Sequence, residues 1–258
     1  MALQGGHGMS RDLARMNRSL FCALSLLFLL GGFLPMAPGR EPSSAAGVRS
    51  LPAGAEIKEL AQLKLLKDLT PRLQHFSLAE RREVYLAIAV ERNLLTSTEA
   101  LELLQSLGAV KGFDAAARQL CGYGSPARDG ALYELRVGRA FVEKGMPVIE
   151  IRQPFKGDPN KRLTDIDLVV EHPVGHLTGI ECKSGTPPAV NVNADAETLQ
   201  HFIAKHPGAR AAFSFGGKPV SQKLLESKGI AILTGSPMAQ ADTLWETMPA
   251  AEKLKETR

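Results

Sequence analysis

Aromatic residues are scarce, at 5% of 258 positions, with one tryptophan and three tyrosines. No ladder of rings is present on which successive bases could stack, so recognition of single strands by stacking is not indicated. Cysteine is scarcer, at three residues, and Cys22 lies in an N-terminal apolar run. The other two, Cys121 and Cys182, are far apart in sequence. They could pair in an oxidising compartment, but two cysteines do not make a disulfide scaffold. No cysteine and histidine cluster has zinc-site spacing, and no internal repeat marks a solenoid or a propeller. Neither sign of charge dominates, since 31 basic and 27 acidic residues leave a formal net charge of +4. That mildly favours a polyanionic partner and identifies none. A hydrophobic fraction of 44% excludes a collagen-like or wholly disordered chain. The length allows one large domain or two small ones with a real core.

The N-terminus is the most distinctive stretch of composition. Arg11, Arg15 and Arg18 precede an apolar run from Leu20 to Leu34, interrupted by Ser25, Gly31 and Gly32. Pro35, Ala37, Pro38 and Gly39 follow, then polar Arg40 and Glu41. A basic region, an apolar core and small residues after it make a signal peptide over residues 1–39, which implies a secreted or periplasmic product. Cleavage after Gly39 or after Ala46 fits. The run is at the short end for a spanning helix, and an uncleaved membrane anchor is the alternative. An organelle transit peptide or a mistaken start is a third. Cys22 opens the run instead of following it, so it is not placed for lipid attachment.

Residues 40–55 are rich in Pro, Ser, Ala and Gly and have linker composition. From 56 to 120 the pattern is helical, with Ile57, Leu60, Ala61 and Leu65 at helical spacing. Ser77 with Glu80, and Thr96 with Glu99, have the spacing of capping boxes. Val84, Leu86, Ile88 and Val90 alternate, as in a strand, but the length and flanks of the stretch favour helix. This segment carries no recognisable chemistry and fits a spacer or packing module. Residues 122–130 punctuate the chain. After them the spacing predicts a helix over 131–144, strands over 147–152, 163–171 and 177–184, and a turn at 173–175. A helix capped by Asn193 or Asp195 runs to 205. A strand over 209–215, a helix over 219–228 and a strand over 230–233 follow. The expected fold is α/β, a mixed sheet with helices on its faces, preceded by a small helical segment and followed by a tail at 236–258.

Strand side chains alternate faces. In Thr164-Asp165-Ile166-Asp167 both aspartates share a face, and in Ile180-Glu181-Cys182-Lys183 the glutamate and lysine do. A hairpin turning at 173–175 brings Asp167, Glu181 and Lys183 to one point. Carboxylates are disfavoured in strands, and a divalent metal supplies a reason for two of them. Mg²⁺ prefers carboxylate and water oxygens, lowers the pKa of water and neutralises charge developing on phosphorus. Lys183 would orient or deprotonate the attacking water, or stabilise the phosphate by charge. Glu134 shares a helical face with Gly138 and Phe141, and the glycine would let that helix approach the sheet.

A helix glutamate, then an aspartate, then Glu-x-Lys on an αβββαβ core resembles the PD-(D/E)xK nuclease superfamily, with its restriction-endonuclease-like fold. The resemblance covers residues 130–235, under half of the chain. It implies that Glu134, Asp167 and Glu181 bind Mg²⁺ (or Mn²⁺), that Asp167, Glu181 and Lys183 are catalytic, and that phosphodiester bonds in DNA or RNA are hydrolysed. The strings TDIDLVV and IECKSG also resemble nuclease domains of bacterial contact-dependent toxins and of some resolvase-like proteins. Ile166 stands where the motif has proline. Asp165 is the alternative ligand. Asp167 is preferred because in the family the hydrophobic run follows the ligand directly, as Leu168-Val169-Val170 does here. Gln200 lies on the helix where related nucleases use a glutamine near the metal. Joined to an export signal, the resemblance implies an effector toxin with an immunity or inhibitor protein as partner, or a periplasmic scavenging nuclease. The competing class is a non-catalytic module that keeps the fold and binds nucleic acid or protein.

Lys156, Lys161 and Arg162 form a basic loop suited to nucleic-acid phosphates, or simply a solvated one. His172 and His176 flank the hairpin turn. The plainer alternatives are an exposed ion pair between Glu181 and Lys183, solvated aspartates at 165 and 167, and a surface salt bridge from Glu134 to Arg136 or Arg139.

Overall fold

A computed structural model of the chain describes residues 54–63, 65–122, 124–155, 164–173 and 175–247. The apolar N-terminal run, residues 40–53 of the linker composition, and Lys156, Lys161 and Arg162 lie outside the described residues. No helix among the described residues is long and apolar enough to cross a membrane. Among the described residues five helices come first: α1 Gly54–Gln62, α2 Leu66–Leu73, α3 Leu78–Glu91, α4 Ser97–Leu107 and α5 Phe113–Leu120. Ser77 opens α3 with a complete capping box, its hydroxyl accepting from Glu80 N–H at 3.3 Å and the Glu80 carboxylate accepting from Ser77 N–H at 2.6 Å. Thr96 caps α4 by accepting from Glu99 N–H, but the Glu99 carboxylate turns instead to Arg136 Nε at 2.6 Å. The alternation of residues 84–90 is helical. Val84, Tyr85, Leu86, Ile88 and Ala89 are all buried, and α3 packs against α1, α4 and α5. A helix covered on several sides loses the single apolar stripe that betrays a helical period. Arg92, just past α3, donates to the carbonyls of Ala61, Leu63 and Cys121 at 2.9, 2.6 and 2.6 Å, fastening the ends of α1 and α5.

The sixth helix, α6 Ser125–Glu143, leads into β1 Val148–Phe155, β2 Thr164–Glu171 and β3 Leu177–Lys183. Then come α7 Ala189–Lys205, β4 Arg210–Phe215, α8 Gln222–Ser227, β5 Ala231–Thr234 and α9 Pro237–Glu246. The strands form one sheet in the order β1-β2-β3-β4-β5. The first two neighbouring pairs are antiparallel and the last two parallel. This is a mixed α/β fold with helices on both faces. Leu168, Val170, Ile180 and Cys182 belong to a core shared with α6 and the N-terminal helices. Val169, Phe213 and Phe215 belong to a second core with Val192, Leu199 and Phe202 of α7.

The N-terminal helices and the sheet share that first core instead of forming separate bodies. The join is close at Gly112, whose φ is +88° and where a Cβ would lie 1.8 Å from Ile151 O. Only glycine fits that left-handed position so near a backbone carbonyl. Gly138 packs between Leu107 and Leu168, as its place on the α6 face suggested. A Cβ there would meet both at 3.4 Å, an ordinary contact, so the close approach does not demand glycine.

Several boundaries differ from expectation, and α6 starts at Ser125, six residues before the expected helix and inside the stretch that punctuates the chain, with a proline in its first turn. Helix α7 begins four residues before Asn193, because Pro188 supplies an extended N-cap with φ −60° and ψ 139°, so Asp195 is inside the helix. The segment after 235, expected to be a tail, contains α9, which packs on α6 and β5. Ser236 caps it by accepting from Ala239 N–H, and Pro237 opens its first turn. Its buried Gln240 donates to Tyr133 Oη at 2.8 Å and to the carbonyls of Gly235 and Phe215, and accepts from Ser214. Cys121 and Cys182 are both buried and free.

Candidate active site

Strands β2 and β3 pair from Glu171↔Leu177 as far as Leu168↔Ile180. Beyond that point the next contact is made by a side chain, with Cys182 N–H donating to Asp167 Oδ2 at 2.7 Å. The Asp167 carboxylate is thereby fixed against β3 next to Glu181 and Lys183. Asp165 is exposed at the start of β2, opposite Pro154. Of the two aspartates on this strand, Asp167 is the one joined to the Glu-x-Lys strand.

Glu181 is 3% exposed. Its Oε2 accepts from Lys183 Nζ at 3.2 Å, while its Oε1 is buried without a hydrogen-bond partner. Lys183 Nζ also lies 2.9 Å from Asp195 Oδ2 on α7. This is not an exposed ion pair. Burial pushes the Glu181 carboxyl well above the usual range, and nearby Asp167 adds to the shift, against the opposing pull of Lys183. Asp167 is raised by burial, opposed by Lys183 and by the Cys182 N–H. Burial works against a charge on Lys183, yet Glu181, Asp167 and Asp195 outweigh it and hold its pKa above the ordinary lysine value. The Cys182 thiol is pushed well up by burial and then by the surrounding carboxylates, so it is no nucleophile.

Glu134 projects from α6 toward the same place, but not toward Arg136 or Arg139. Those arginines hold Glu99, and Glu102 with Glu143. Glu134 is instead gripped by Arg152 of β1, whose Nε and Nη2 both donate to Oε2, at 3.0 and 2.9 Å. Burial first, and Asp167 next, push the Glu134 carboxyl up to about 8 despite Arg152. Arg152 is held above its ordinary value by Glu134, Asp167 and Asp165, which outweigh its own burial. Arg152 has φ +53° within a strand, a conformation that costs on the order of 1–3 kcal/mol for a residue with a Cβ. Its neighbours pair as Ile151↔Leu168 and Gln153↔Ile166, which places Arg152 opposite Asp167.

Among the described residues, no three His, Cys, Asp or Glu side chains stand together as a ready-made metal cage. Glu134 faces Arg152, and Lys183 lies between Glu181 and Asp195. The chemistry of the donor set nonetheless fits a divalent cation. Asp167 and Glu181 offer hard oxygens, and the partnerless Glu181 Oε1 is a buried acceptor that needs a positive partner.

Gln200 finds its hydrogen-bond partner at the end of α8. Its Oε1 accepts from Lys228 Nζ at 2.6 Å. The α7 residue that reaches Lys183 is Asp195, which sequence reasoning had placed at a helix cap. Its signal was legible in one respect, because Asp195 lies three residues after Val192 and four before Leu199, on the buried stripe of α7. Arg152 was missed with no signal to find it, since a positive φ at an arginine has no sequence mark. His172 and His176 sit at the turn end of the β2–β3 hairpin, away from Asp167, and buried His172 Nε2 is 2.6 Å from Thr178 Oγ1.

No family model matches the sequence, and no curated protein matches it. Among solved structures the chain is similar to Can2 from Sulfobacillus thermosulfidooxidans, determined in complex with cyclic tetra-adenylate (cA4). The TM-score is 0.35 and the identity 15%, over 73% of this chain and 55% of that one. The chain thus spans about half the length of the protein it matches.

Proposed function

We propose that this chain is a divalent-metal-dependent nuclease of the PD-(D/E)xK type, hydrolysing phosphodiester bonds in DNA or RNA. What carries the reading is the meeting of Asp167, Glu181 and Lys183 where β2 and β3 cease to pair, with Glu181 Oε1 buried and without a partner. Asp167 and Glu181 would hold Mg²⁺ or Mn²⁺, with Glu134 as a third ligand once it leaves Arg152. When bound, the ion supplies Lewis acidity toward a phosphoryl oxygen and lowers the pKa of water. The Cys182 N–H fixes the orientation of the Asp167 carboxylate. Lys183, whose pKa three carboxylates raise, would orient water and stabilise charge building on phosphorus as a charged donor. Asp195 holds the lysine head in place from the far side.

The basic and apolar sequence of residues 11–34 supports export, and an exported nuclease fits an effector toxin or a scavenging enzyme. Sequencing the N-terminus of the protein made in its own host tests the export. The activity is tested by offering the purified protein supercoiled plasmid, duplex, single strand and tRNA with Mg²⁺. Cleavage that stops with EDTA and in Lys183→Ala supports the reading, and no cleavage of any substrate overturns it.

A further inference from the structure

Arg152 belongs to none of the sequence motifs, yet it is the cation closest to the helix carboxylate. Both of its forked donors, Nε and Nη2, are spent on Glu134, at 3.0 and 2.9 Å from one oxygen. The partners differ in access, with the Glu134 side chain 3% exposed and that of Arg152 22%. The backbone that aims Arg152 has the left-handed φ of +53°, in a strand whose pairing with β2 also shifts register between Val148 and Glu150. An ion pair that served only to tie α6 to β1 would need neither a strained residue nor a place opposite Asp167. A buried pair is in any case weak evidence of a stabilising role.

We infer that Arg152 is a positioning residue of the active site, an internal counter-ion that holds Glu134 away from Asp167 and Glu181 until a divalent cation displaces it. Three ionised carboxylates, Glu134 and Glu181 buried and Asp167 half-buried, would repel one another without a counter-ion. Two cations of this chain keep them apart, Lys183 for Glu181 and Arg152 for Glu134. A divalent ion arriving at Asp167 and Glu181 competes with the guanidinium for Glu134, and the affinity observed is the intrinsic one reduced by that competition. Loss of Arg152 therefore tightens cation binding, and the gain passes through Glu134. This inference rests on the metal-dependent reading above.

The test is calorimetric titration of Mn²⁺ into the full chain at about pH 8.5, above the raised Glu134 value of about 8, for the wild type, Arg152→Gln, Glu134→Gln and the double variant. Arg152→Gln should bind Mn²⁺ about tenfold more tightly, and the gain should vanish in the Glu134→Gln background, as expected for two residues in direct contact. Circular dichroism checks the fold. Arg152→Lys, which keeps a charge but not the fork, should tighten binding by a smaller factor and serves where Arg152→Gln does not fold. Unchanged or weaker Mn²⁺ binding in both Arg152 variants overturns the inference. So does an equal gain with and without Glu134, which would mark a diffuse charge effect. Either result leaves the nuclease reading standing. Absence of Mn²⁺ binding in the wild type, or binding indifferent to Asp167→Asn, overturns the metal-dependent reading itself and the inference with it.

Discussion

Lys183 Nζ lies 2.9 Å from Asp195 Oδ2, so the lysine of the Glu-x-Lys strand is held from across the sheet face by a helix that the motif does not include. With Glu181 Oε2 on its other side at 3.2 Å, the ammonium has one acidic partner from its own strand and one from α7. Asp195→Asn keeps the shape and removes the charge. It should lower kcat by about 10- to 100-fold, the usual effect of losing a residue that orients a catalytic group. It should also lower the lysine pKa, because one of the anions raising it is gone. A kcat identical to wild type would show that Asp195 does not position the lysine.

Lys183 itself separates chemistry from packing. Lys183→Ala should cut kcat by roughly 10²- to 10³-fold, the size of losing one charge-stabilising donor, with little change in nucleic-acid affinity. Arginine keeps the charge but cannot give up its proton, so Lys183→Arg should retain a measurable part of the rate. An arginine variant as inactive as the alanine one, with both folded, would point to a lysine that acts as a base. Wild-type rates in both variants would remove Lys183 from the mechanism.

Asp167 and Asp165 offer a comparison within one strand. Asp167 is tied to Cys182 N–H and faces Glu181, whereas Asp165 is exposed. Asp167→Asn should weaken Mn²⁺ binding by at least about tenfold, or about 1.4 kcal/mol, and Asp165→Asn far less. Calorimetry on both variants reads this directly. A larger loss from Asp165→Asn would reverse the assignment.

The buried carboxylates also set a pH dependence for stability without metal. The Glu134 carboxyl is raised from 4.5 to about 8 in the folded chain, so folding favours its protonated form. That contribution is complete below about 4.5 and is lost as pH rises through about 8. Asp167 and Glu181 shift in the same direction. Measured in EDTA, the Tm of wild type relative to Glu134→Gln should therefore fall as pH rises across that window, and saturating Mg²⁺ should offset the fall. A difference that grows with pH would contradict the sign.

Much of the local structure is written in the sequence because it depends on neighbours a few residues away. Ser77 and Glu80 make their box wherever that helix goes, and Gly145, with φ +85°, follows the last turn of α6 as helix-ending glycines do. Period-two alternation placed Glu181 and Lys183 on one strand and Asp167 on the next, and a hairpin needs only a short turn to join them. What the sequence could not determine depends on groups distant along the chain. Whether Asp165 or Asp167 meets β3 is decided by where the ladder stops and Cys182 N–H seeks an acceptor. Whether Glu134 pairs with Arg136, Arg139 or Arg152 is decided by α4, which takes the first two through Glu99 and Glu102, and by a left-handed residue in β1. The burial of Gln240 in α9 likewise follows from Tyr133 and Ser214, which meet it only when α6 and β4 pack together. Periodicity reports which face a side chain takes, but the partner it finds there is set by packing, and at this site the partners decide which carboxylates are free to bind a cation.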